Sequence, residues 1–107
     1  MTAVTTIAPL PAIRDAVRHA LAPISCRVYL YGSRARGDAA PDSDYDVLAV
    51  VDDAVVDSAL RRKVQDAVYP LCLANDTVIT THLMEAARYR SERTPFLMNV
   101  RREAVAL

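Results

Sequence analysis

Asp44 and Asp46 stand two residues apart at the start of an apolar run, Tyr45-Asp46-Val47-Leu48-Ala49-Val50-Val51. Side chains alternate along a strand, so both carboxylates point to the same side. Two carboxylates on one face make an oxygen-rich site suited to a hard cation such as Mg2+ or Mn2+. A second apolar run, Val28-Tyr29-Leu30-Tyr31, ends at Gly32-Ser33. Glycine lets the backbone approach a ligand closely, and backbone amides with a serine hydroxyl suit a phosphate. A cation site beside a phosphate cradle points to phosphoryl or nucleotidyl transfer. Asp42-Ser43-Asp44 also reads as an ordinary polar turn. That reading leaves Asp46 unexplained, because a carboxylate inside an apolar strand is costly without a partner.

Other residues fall near these two points. Arg34 and Arg36 follow the Gly-Ser turn and are candidate phosphate contacts. A single helical turn opening after Ser33 would aim its amides at the same place. Ser43, directly before the Asp pair, completes the candidate nucleotide-binding set of Gly32, Ser33, Arg34, Arg36 and Ser43. Arg36-Gly37-Asp38 spells a cell-adhesion tripeptide, but a three-letter match arises by chance.

The elements that must hold these residues follow from pattern. Residues 1–10 read as a flexible lead-in. Apolar residues at 13, 16, 17, 20 and 21 predict a helix from about Pro11, with Pro11 in its first turn. Residues 26–31 are rich in β-branched and aromatic types and predict a strand. In residues 45–51 both faces turn apolar after Asp46, which predicts a strand covered on both sides. Residues 55–74 keep a helical period, in conflict with Pro70. Residues 77–83 read as a third strand, and residues 84–93 as a charged helix. Thr94-Pro95 starts a final helix, with Thr as cap and Pro at the first position. Phe96, Leu97, Val100 and Ala104 give that helix an apolar side, and Phe96, Leu97 and Val100 beside Met98 make it the expected docking surface for a second chain. The order predicts one α/β (α+β) domain over residues 1–107, a small sheet covered by helices.

Composition narrows the class. The chain has 107 residues, 52% of them hydrophobic and 24% charged, with a formal net charge of zero. This suits a single soluble domain, and no global field draws it to nucleic acid or a membrane surface. No apolar run is long enough to span a bilayer, and the first residues lack a signal-peptide pattern, so a cytoplasmic location is expected. Cys26 and Cys72 lack a partner motif and read as buried free thiols.

Gly-Ser, ten residues (34–43), then Asp-x-Asp, with apolar strands on both sides, resembles the signature of the minimal nucleotidyltransferases of the DNA polymerase β superfamily. The resemblance is specific over about residues 26–51. It implies a mixed sheet that sets the Gly-Ser turn beside the Asp pair. It further implies that Asp44 and Asp46 hold Mg2+ (or Mn2+) and that Gly32 and Ser33 hold the β- and γ-phosphates of a nucleoside triphosphate, ATP for transfer of AMP. Family members also supply a third carboxylate from the third strand. Here the only acid available is Asp76, at that strand's edge. Small members of the family pair as antitoxins with a helical HEPN-domain toxin. The resemblance thus leaves two readings open. One is an enzyme that adds a nucleotide to a hydroxyl of a protein or small molecule. The other is a catalytically weak nucleotide-binding subunit that acts by binding. Its partner would be a second copy of itself or a small HEPN-type protein.

Overall fold

The computed structural model describes residues 9–107. Helix α1 spans Pro9–Leu21, strand β1 Cys26–Tyr31, helix α2 Ser33–Arg36 and strand β2 Tyr45–Val51. Helix α3 spans Ser58–Asn75, strand β3 Ile79–Glu85, helix α4 Ala86–Ser91, helix α5 Pro95–Glu103 and strand β4 Val105–Ala106. The sheet order is β3-β2-β1-β4. Strand β2 runs parallel to β3 and antiparallel to β1, and β4 is antiparallel to β1. The sheet is mixed, as the resemblance implied.

Strand β2 lies between β1 and β3 and is covered on both faces. Tyr45, Val47, Ala49 and Val51 join Ile13 and Val17 of α1 and Val64 and Val68 of α3 in one core. Leu48 and Val50 join Met84, Ala86, Leu97 and Val100 in a second core, with Tyr29 and Tyr31 packed against it. This explains why polar and apolar residues do not alternate after Asp46. Fully burying each Val or Leu side chain contributes about 1.5–3 kcal/mol. A carboxylate among them would be unpaired and desolvated. The strand can carry one only at its start, where the helical cover ends.

Several boundaries differ from the sequence reading. Helix α1 begins at Pro9, so the expected lead-in is two residues shorter at its inner end; residues 1–8 lie outside the described residues. Helix α3 starts at Ser58 because Asp57 caps it, its Oδ1 accepting the Leu60 N–H at 2.9 Å. The helix then runs through Pro70. Proline deprives the Asp66 carbonyl of its helical partner, but Asp66 and Pro70 are both exposed and water can serve that carbonyl. Strand β3 begins two residues later than expected, and the charged helix after it is shorter, Ala86–Ser91. The two-residue strand β4 has no local signature and exists only through its pairing with β1. Cys26 and Cys72 are free, but half-buried rather than buried. Among the described residues no helix is long and apolar enough to cross a membrane.

Helix α5 is placed by three devices. Thr94 Oγ1 accepts the Leu97 N–H at 3.2 Å, capping the helix start. Leu97 and Val100 are buried against the sheet. The Arg101 guanidinium donates to the Tyr89 and Glu92 carbonyls. The expected docking surface on α5 is therefore reduced. Leu97 and Val100 are spent in the core, and only Phe96 and Met98 stay exposed.

Candidate active site

Asp46 is the cross-strand partner of Tyr31 on β1 and of Thr80 on β3. Thr80 Oγ1 donates to Asp46 Oδ1 at 2.8 Å. On the other side Asp46 meets the Gly32 turn. A Cβ on residue 32 would run into Asp46 Oδ2 and lie 3.3 Å from its Cγ. Gly32 also has φ +79°, a conformation that other residues rarely adopt. The strand end, the glycine and the carboxylate thus form one packed unit. Asp44 lies just before β2 on the same parity as Asp46; its side chain is exposed, while Asp46 is half-buried.

Ser33 opens α2, the short helix the Gly-Ser turn leads into. Gly32 O accepts from the Ala35 and Arg36 amides at 3.0 and 3.1 Å, and Ser33 O accepts from Gly37 N at 3.0 Å. The first amides of a helix, here those of Ser33 and Arg34, have no partner within it. They lie at the end of β1, beside the strand end that carries Asp46. The arrangement sets these amides at the strand end, beside the half-buried Asp46 carboxylate.

Both arginines of this segment are engaged within the chain. Arg34 donates to the Ser43 carbonyl from Nε and Nη2, at 3.2 and 2.9 Å, and to the Pro41 carbonyl at 3.0 Å. Its guanidinium also lies 4.3 Å from the centre of the Tyr45 ring. Arg34 therefore ties the loop that carries Ser43 and Asp44 back to α2. Arg36 pairs with Asp38 and, across the chain, with Glu103 of α5. Removing the Arg34 staple should loosen the loop without unfolding the domain. In Arg34→Ala, amide exchange over residues 42–45 should quicken by about tenfold, as expected for losing roughly 1–2 kcal/mol of charge-assisted hydrogen bonding. Unchanged protection, measured by hydrogen–deuterium exchange, would show that the loop stands without Arg34.

Asp76 does not join the pair. It is the C-cap of α3 in the left-handed conformation, φ 50° and ψ 52°, with its amide donating to the Cys72 and Leu73 carbonyls. It precedes β3 by three residues and lines a separate cavity of about 550 Å³ with Arg34, Asp42, Tyr45 and Asn75. The residue of β3 in register with Asp46 is Thr80. The described residues contain no group of three or more His, Cys, Asp or Glu side chains placed to hold a metal ion. Helix capping, not the strand, sets the position of Asp76.

Two side chains beside Asp46, Tyr31 and Thr80, were absent from the sequence-based set, as was Phe96, which packs on Tyr31. Strand parity is the signal for Tyr31, which ends the run before Gly32. Thr80 needed the register of β3, and Phe96 needed the docking of α5. The Tyr31 ring lies edge-on to Phe96, with centroids 5.5 Å apart, and His82 lies 5.3 Å from Phe96. Burial, with the Asp46 charge second, pushes the Tyr31 phenol up. Burial, then the charges of Arg61 and Arg88, pushes the His82 imidazole down, which favours its neutral form.

A mixed sheet that sets an Asp-x-Asp pair against a Gly-Ser turn defines a domain of the nucleotide-transferring kind. The sequence matches the model of the nucleotidyltransferase domain over residues 10–95. The chain belongs to the nucleotidyltransferase domain family. A comparison with curated proteins finds no match. Among solved structures, the fold resembles a chain in the toxin–antitoxin pair MntA–HpeT, in a mutant with two aspartates, two positions apart, replaced by glutamate. That likeness has a TM-score of 0.65 and 18% identity, covering 90% of this chain and 69% of the other. It also resembles a chain of a toxin–antitoxin structure with AMP-PNP, with a TM-score of 0.63 and 21% identity over 90% and 69% of the two chains. A third likeness is to a chain in the complex of tri-AMPylated Shewanella oneidensis HEPN toxin with MNT antitoxin. It has a TM-score of 0.59 and 17% identity over 99% and 71% of the two chains. At these identities the likeness is one of fold.

Proposed function

We propose that this chain is a minimal nucleotidyltransferase that moves AMP from ATP onto a hydroxyl of a HEPN-type partner protein, in the manner of an antitoxin. The observation that carries the reading is the packed unit of Gly32, Asp46 and Thr80, with Asp44 open to solvent on the same parity. The AMP-PNP complex and the AMPylated toxin complex among proteins of similar fold support the choice of nucleotide and partner.

The chemistry follows from charge. An acceptor oxygen attacks the α-phosphorus, the bond to the bridging oxygen breaks, and pyrophosphate leaves as the acceptor proton is released. Gly32 and Ser33 offer amides and a hydroxyl to the β- and γ-phosphates. Ser43 lies in the loop that delivers Asp44. Asp44 and Asp46 are the residues that would hold Mg2+, which commonly takes one or two carboxylates and completes its shell with water and substrate phosphates. The donor set fits: one carboxylate is anchored by Thr80, and the other is exposed. When bound, Mg2+ supplies neutralisation of the phosphate charge. The rest of the protein's work is positioning, because proximity and orientation account for much of the barrier in such transfers.

The test uses ATP labelled at the α-phosphate, the purified chain, Mg2+ and a HEPN-type helical protein as acceptor. Label should appear on a hydroxyl of the partner, with release of pyrophosphate. A stable complex that never becomes labelled would replace this reading by that of a subunit acting through binding alone.

A further inference from the structure

Phe96 is a large apolar side chain that stays 39% exposed next to the site. Its position is imposed. Thr94 caps the helix it opens, and Leu97 and Val100 anchor that helix in the core. The ring is braced rather than loose. Tyr31 meets it edge-on, with an interplanar angle of 88°, and His82 meets it at 38°. Tyr31 is the cross-strand partner of Asp46, and His82 lies two residues beyond Thr80 on β3. Two residues along a strand is about 6.6 Å. Tyr31 thus stands in the row of Asp46 and Thr80, His82 stands one step behind that row, and Phe96 packs on both rings on the sheet face that carries α5.

A nucleoside triphosphate whose phosphates lie at the Gly32-Ser33 turn and the Asp pair sets its base down one ribose away from them. The base is flat and largely apolar, and aromatic side chains are the surfaces on which bases stack. The edge and tilted contacts with Tyr31 and His82 hold Phe96, which remains 39% exposed. His82 adds one donor and one acceptor at the border, the complement of a base edge. Lys and Arg contacts could hold phosphates of any nucleotide, but only a surface of this kind distinguishes a nucleotide from bare triphosphate.

We propose that Phe96, braced by Tyr31 and His82, is the stacking platform for the base of the bound nucleotide, and that it favours a purine for its larger ring surface. The proposal rests on the nucleotidyltransferase reading of the Asp44–Asp46 site.

Calorimetry with Mg2+ compares ATP and inorganic tripolyphosphate on the full chain and on Phe96→Ala and Phe96→Trp. Phe96→Ala should weaken ATP by about tenfold or more, the cost of losing one base–aromatic stack, and leave tripolyphosphate unchanged. Phe96→Trp should keep ATP affinity. The natural chain has no tryptophan, so the new indole is the sole such fluorophore, and ATP should quench it while tripolyphosphate should not. Circular dichroism confirms that each variant folds. Equal losses for both ligands, no loss for ATP, or loss of partner binding with ATP affinity intact would each overturn the platform. If the unaltered chain binds neither ligand, the reading of the Asp pair itself falls, and the platform with it.

Discussion

Replacing Asp44 and Asp46 together by Asn should abolish metal-dependent nucleotide binding and lower transfer by at least about a hundredfold, the usual cost of removing preorganised charge at a reacting phosphate. The substitution keeps volume and removes two negative charges. An Asn at 46 can still accept the Thr80 hydroxyl bond at the Oδ1 position, now 2.8 Å, so the strand end should stay in place. A half-buried amide is also cheaper to desolvate than a half-buried carboxylate. The variant should melt no lower than the natural chain. Calorimetry with ATP, with and without Mg2+, reads the binding, and label transfer to the partner reads the activity. Nucleotide affinity equal to the natural chain's, with Mg2+ present, would remove Asp44 and Asp46 from the site.

The second large effect belongs to Gly32, and the chain supplies its own control. Gly32 and Gly37 both have positive φ, +79° and +87°. An alanine at either position meets the backbone cost of about 1–2 kcal/mol for that conformation. The surroundings differ. A Cβ at 32 runs into Asp46 Oδ2, whereas a Cβ at 37 finds nothing within 4 Å. Gly37→Ala should therefore cost only the backbone amount and leave nucleotide binding intact. Gly32→Ala should cost about 1–3 kcal/mol more, in the range seen for overpacking, and push Asp46 off its Thr80 bond. ATP and tripolyphosphate should both lose affinity, and adenosine should lose less. Urea titration reads the stability and calorimetry the binding. If the two variants behave alike in both measurements, the contact between Gly32 and Asp46 has no consequence for the site.

Much of this protein was legible locally. The apolar run after Asp46 announced a strand covered on both faces, because only apolar residues tolerate both cores. Thr94-Pro95 announced a helix start, and the Thr94 hydroxyl caps Leu97 there. The Asp-x-Asp motif marked the start of β2, with Asp46 in the strand and Asp44 just before it. The pairing of that motif with Gly32-Ser33 pointed to the family that the match over residues 10–95 shows.

What the tertiary structure decided depends on contacts between residues far apart in the chain. Thr80, 34 residues after Asp46, meets it only because β2 and β3 pair in parallel at that register, and register is not written in either strand alone. Asp76 had the right residue type near the third strand. Capping α3 in a left-handed turn took it out of that strand, because a helix end must satisfy its last carbonyls. Arg34 read as a free cation beside a phosphate cradle, yet the Pro41 and Ser43 carbonyls of the returning loop engage it. Phe96 read as one of four residues on an apolar helix side, and the depth at which Leu97 and Val100 enter the core set it beside Tyr31. Period and capping act within a few residues, so sequence shows them. Register, loop return and helix docking are set by which distant surfaces bury each other best, and that is settled only when the whole chain packs.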